Sequence, residues 1–142
     1  DSSRIHETAG YVVLGLLAFR LVWGFVGPQH ARFADFVASP SKVVDYLRSL
    51  FTSHPKRYLG HNPAGAAMVL LLLACLLVTA GSGWLMTTDR YWGTDWVEEL
   101  HEGAANVALA LVVIHVLGVV VSSVLHKENL VRAMITGRKP AA

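Results

Sequence analysis

The stretch Leu100-His101-Glu102-Gly103-Ala104-Ala105 leads into an unbroken run from Val107 to Val121 in which His115 is the only ionisable residue. Fourteen positions separate His101 from His115, and fourteen residues of α-helix rise ~21 Å while returning to nearly the same face. One apolar helix can therefore offer an imidazole at each of two depths in a bilayer. An imidazole inside such a run costs energy unless it is partnered. Metal ligation is the commonest partnership, and a hydrogen bond to a carbonyl or to a hydroxyl such as Thr79 is the alternative.

The rest of the chain fits that setting. Its 142 residues are 54% hydrophobic and 15% charged, with a mean hydropathy of +0.46, too apolar for a soluble domain of this length. The fold class expected is all-α, a transmembrane helical bundle forming one membrane domain over residues 1–142. Three windows, about 6–26, 64–86 and 101–125, each supply the ~20 apolar residues that cross ~30 Å of hydrocarbon. Arg32, Lys42, Arg48, Lys56 and Arg57 follow the first span, and Lys127, Arg132, Arg138 and Lys139 follow the third. Between the second and third lie Asp89, Asp95, Glu98, Glu99 and Glu102 against Arg90. The positive-inside rule then puts the first connection and the C-terminus in the cytoplasm. Trp84, Tyr91 and Trp92 mark the outer interface and Trp23 the inner one. Segments 40–52 and 127–136 read as amphipathic helices on the cytoplasmic surface, with Val43, Leu47, Leu50 and Phe51 sharing the apolar face of the first. A net charge of +2 gives no reason to expect a nucleic-acid partner.

Cys75 is the single cysteine, so the chain holds no internal disulfide and no C-x-x-C-H haem attachment; inside the second span it reads as a small packing residue. The histidines carry what redox or metal chemistry there is. His6, in Arg4-Ile5-His6-Glu7-Thr8-Ala9-Gly10, opens the first span as His101 opens the third. Each His-Glu pair sits at the outer edge, with small residues one turn further in, which suits a broad flat ligand. The two histidines lie at one depth, the arrangement of a bis-histidine haem; the alternative is that both are interfacial polar residues. Arg20 lies fourteen positions after His6, and Gly24 fourteen after Gly10. Arg20 thus falls near the depth of His115, where it either pairs with a haem propionate or snorkels to the cytoplasmic interface. Gly118 follows His115 by three, as Ala104 follows His101. His61, beside a Gly-rich turn at the start of the second span, is a candidate for a propionate contact or for proton exchange at a quinone pocket. His30, His54 and His126 read as solvated.

Several strings together resemble the prokaryotic di-haem cytochrome b-561 family, which includes the b-type cytochrome subunit of nickel-iron hydrogenases. They are Arg4-Ile5-His6-Glu7 with Gly10-Tyr11, Arg20-Leu21-Val22-Trp23-Gly24-Phe25-Val26-Gly27-Pro28 with His30-Ala31-Arg32-Phe33, Arg57-Tyr58-Leu59-Gly60-His61-Asn62-Pro63, Leu100-His101-Glu102, His115-Val116, and Glu128-Asn129-Leu130-Val131-Arg132-Ala133-Met134. The resemblance covers nearly the whole chain. It implies a four-helix bundle in a bacterial inner membrane holding two haem b groups. His6 and His101 match the family's outer ligands, and His115 matches one inner ligand. The other inner ligand is a His followed by Trp on an additional first helix, which this chain lacks. With Asp1 standing where an initiator Met would, an upstream span is expected.

The resemblance further implies respiratory electron transfer between the quinone pool and a c-type cytochrome, a dehydrogenase or a hydrogenase subunit, with quinol oxidation or quinone reduction at the protein and a homodimer among the possible assemblies. Two other function classes compete. A non-redox membrane anchor subunit shares the hydropathy but has no need of histidines at two depths. A metal-ion transporter needs ligands converging at one depth and usually acidic partners in its spans.

Overall fold

The computed structural model describes residues 2–29, 31–52, 62–125 and 129–136. It contains α1 (Ser2–Val26), α2 (Phe33–Phe36), α3 (Pro40–Ser49), α4 (Pro63–Met86), α5 (Asp95–Leu125) and α6 (Leu130–Thr136), with no strand among the described residues. The protein is a helical bundle in which α1, α4 and α5 are long and apolar enough to cross a membrane.

Local chemistry sets the helix starts. Asn62 caps α4, its side-chain oxygen accepting from Gly65 N at 2.7 Å, and Pro63 takes the first helical position, where no N–H is missed. Pro40 opens α3 in the same way. The connection before α5 turns on Gly93, whose φ of +68° is left-handed and costs a glycine little. The carbonyl of Thr94 then accepts from Val97 and Glu98, while Asp95 and Glu98 complement the positive end of the helix. α5 therefore begins six residues before His101, and its 31 residues run about 46 Å. That exceeds the ~30 Å hydrocarbon thickness, leaving its acidic first turns outside.

α4 is the spine. It packs most extensively on α5 and also on α1 and α3, while α1 and α5 make little direct contact. The buried positions of the long helices are mostly small, Gly24, Ala66, Ser82 and Ala108, joined by Leu17, Pro63 and Val97. Large apolar side chains face outward instead: Leu109, Val113, Leu117 and Val121 form an exposed stripe along α5. Small residues at the contacts and large ones outside are what helices need where the surroundings are as apolar as leucine. Trp84, Trp92 and Trp96 are exposed around the α4–α5 connection, where an aromatic belt belongs.

Candidate functional site

Because α1 and α5 lie against α4 with little contact between them, a cleft opens at the His6 and His101 end. His6 is one turn into α1, and His101 is in the second turn of α5. Their ring centroids are 5.9 Å apart with the planes at 90°. Two imidazoles bound to opposite sides of one metal ion, each at about 2 Å, place their centroids roughly 6 Å apart. The cleft encloses a cavity of about 280 Å³ whose walls include both histidines, Gly10, Tyr11, Gly83 and Trp84. Its lining is mainly apolar with a few polar groups, as cofactor pockets are. Among the described residues, His, Cys, Asp and Glu gather in no group of three. The protein thus offers two nitrogen donors across an apolar slot, a donor set that suits an iron whose other positions belong to a porphyrin.

His101 is held in the form such a ligand needs. Its Nδ1 lies 2.8 Å from the carbonyl oxygen of Thr79. A carbonyl only accepts, so Nδ1 carries the proton and the lone pair of the neutral ring is on Nε2. Ser82 Oγ is 3.3 Å from the same Nδ1. A Cβ added to Gly83 would stand 3.0 Å from His101 Cε1, so the bare glycine lets the ring lie close along α4. At Gly10 an added Cβ would meet nothing within 4 Å. Across the cleft mouth, Tyr11 Oη and Thr87 Oγ1 are 3.3 Å apart.

The inner level looks different. Arg20 Nη1 is buried and has no hydrogen-bond partner among the described residues. Its guanidinium carbon lies 4.9 Å from the Phe33 ring centroid and 6.0 Å from that of Phe36. Phe33 also fills the space over Gly24, where an added Cβ would fall 2.1 Å from its ring. In this arrangement the bare face of Gly24 accommodates the aromatic clamp of α2. His115 is half-buried and Gly118 exposed. Among the described residues His115 meets no second histidine ring, and Thr79, the hydroxyl considered as its partner, donates to the carbonyl of Cys75 instead. An unpartnered buried guanidinium nitrogen suits an anionic group such as a propionate. His61, with His30, His54 and His126, lies outside the described residues.

The sequence pattern marks the histidines but not the groups that hold them: no motif points to Ser82 or Gly83, and Thr79 enters only as a candidate partner for His115. The available signal was the spacing of Cys75, Thr79 and Ser82, which puts three small polar side chains on one side of an otherwise apolar helix.

The profile of the family described as prokaryotic cytochrome b561 matches residues 2–137. Among curated proteins, the chain is similar to the probable Ni/Fe-hydrogenase B-type cytochrome subunit of Rhizobium leguminosarum bv. viciae, 24% identical over 160 aligned positions covering 95% of this chain and 67% of that protein. The proteins of the same description from Rhodobacter capsulatus and Azotobacter vinelandii are 27% and 28% identical, over 94% and 93% of this chain and 61% and 65% of their own lengths. The chain thus spans about two thirds of the length of these relatives. No solved structure matches it significantly. With a profile match over nearly its whole length and a helical bundle whose facing histidines frame an apolar cleft, the chain belongs to the prokaryotic cytochrome b561 family.

Proposed function

We propose that the chain is a membrane b-type cytochrome that carries electrons across the bilayer through two bis-histidine haems, between the quinone pool and a redox partner of the hydrogenase class. The observation that carries the reading is the pair His6 and His101, whose rings face each other at 5.9 Å across the cleft. Bound there, haem b would supply one-electron chemistry, and an iron held by two histidines favours outer-sphere transfer over oxygen chemistry.

The chain's own residues do the holding and tuning. His6 and His101 would hold the outer haem through their ring nitrogens, and the Thr79 carbonyl fixes the tautomer of His101. Arg20 furnishes a cation for a propionate at the inner level, with Phe33 and Phe36 shielding it from solvent. His115 furnishes one inner ligand, and its opposite number comes from outside the three described long helices. His61 is the residue placed to serve a cytoplasmic quinone site. The excess of Arg and Lys on the α1–α4 side and in the C-terminal tail supports a cytoplasmic C-terminus in an inner membrane. The relatives' description as hydrogenase cytochrome subunits supports the partner class.

The test is the reduced-minus-oxidised optical spectrum of the full-length protein purified from membranes, with haem quantified against protein. Two haems per chain with b-type bands are expected. A preparation that is folded, correctly inserted and free of haem overturns the reading and leaves the anchor role.

A further inference from the structure

α4 carries a polar stripe, Cys75, Thr79 and Ser82, which faces the His101 end of α5 through a ladder of short bonds. Cys75 Sγ donates to Ala104 O at 3.2 Å, and one turn along α4 the Thr79 carbonyl accepts from His101 Nδ1 at 2.8 Å. Each helix therefore gives the other one side-chain donor and one backbone acceptor. Ser82, only 3% exposed, donates its hydroxyl to Val78 O at 2.7 Å, with Thr79 O at 3.0 Å as the second acceptor. With its proton spent on α4, Oγ can turn only a lone pair to His101 Nδ1, 3.3 Å away. Gly83 follows, its missing Cβ leaving the space that the His101 ring edge occupies.

We infer that Ser82 and Gly83 are positioning residues for the His101 ligand, Ser82 setting how strongly the ring donates electrons and Gly83 setting the angle of its plane. The inference rests on the haem reading above. An Nδ1–H drawn toward two acceptors makes the imidazole a stronger donor at Nε2, which stabilises ferric over ferrous iron. Removing the Ser82 oxygen leaves Thr79 O as the only acceptor and so favours the reduced state. A Cβ at Gly83 pushes the ring by a few tenths of an ångström and turns its plane relative to His6.

The experiment uses the purified haem-loaded protein, redox titration of its b-type bands and electron paramagnetic resonance of the oxidised form. In Ser82→Ala, haem content stays at the parent value, one haem shows a several-fold higher reduced-to-oxidised ratio at a fixed poise, and the other haem does not move. In Gly83→Ala, the low-spin signal of that same haem shifts while the second signal is unchanged. Parent-like potentials in Ser82→Ala together with parent-like resonance in Gly83→Ala, haem being present, overturn this inference and leave the haem reading intact. Absence of haem from the parent protein removes both.

Discussion

The two ends of these helices are furnished differently. At the outer end, two histidines from separate helices face each other at 5.9 Å, and one of them is locked by a backbone carbonyl. At the inner end, Arg20 lies over the rings of Phe33 and Phe36 with its Nη1 unbonded among the described residues, and His115 meets no second histidine ring there. The described helices bring two histidine rings together at the outer end, whereas at the inner end they bring together a guanidinium and two aromatic rings. A buried guanidinium nitrogen without a hydrogen-bond acceptor carries a cost that an anionic group would relieve.

The largest effects should separate the two ends cleanly. His101→Ala is expected to remove one haem and leave the other, halving the haem-to-protein ratio, and His115→Ala should remove the complementary one. Retention of both haems in either variant breaks the assignment of that histidine as a ligand. Gly24→Ala comes next. The new methyl group would occupy the space of the Phe33 ring, and forcing the ring out should cost about 1–3 kcal/mol. A melt followed by haem absorbance should show the inner haem released at lower temperature while the outer one holds. If both are lost together, the two ends are not independent.

Arg20→Gln should act by charge alone. The inner haem is expected to stay bound, and its midpoint potential should fall by the equivalent of about 1 kcal/mol, because loss of a nearby cation favours the oxidised iron. Redox titration measures this, and an unchanged inner potential would return Arg20 to the role of an interfacial snorkelling residue.

What the sequence made legible follows from how local each signal is. The long helices are written in continuous apolar runs, and the like position of the two His-Glu pairs at the outer edge of their spans puts His6 and His101 at one depth. The extra turns of α5 escape the apolar pattern because Asp95-Trp96-Val97-Glu98-Glu99 lies beyond the apolar window, although those residues are helical and their first N–H groups reach the Thr94 carbonyl. Gly24 repeats the helical position of Gly10, yet its neighbour is Phe33, nine residues on and beyond the Gly27-Pro28 turn, a contact that no local pattern specifies. Thr79, Ser82 and Gly83 matter only through the register of α4 against α5. That register depends on which small residues meet across the interface, and no single segment encodes it.

The smallest expected effect tests that register directly. Cys75 looks like a plain packing residue, but its thiol reaches Ala104 O on α5, one turn from the Thr79–His101 bond. Interhelical hydrogen bonds in membrane bundles contribute about 0.6 kcal/mol on average, so Cys75→Ala should lower the melting temperature in detergent slightly and Cys75→Ser, which keeps a donor, should lower it less. The effect on haem should be confined to the outer site, since the Cys75 bond and the His101 bond brace the same pair of turns while His115 lies about three to four turns further along. If Ala and Ser variants melt alike, shape and not the hydrogen bond sets the spacing of α4 and α5, and the outer end owes its order to packing alone.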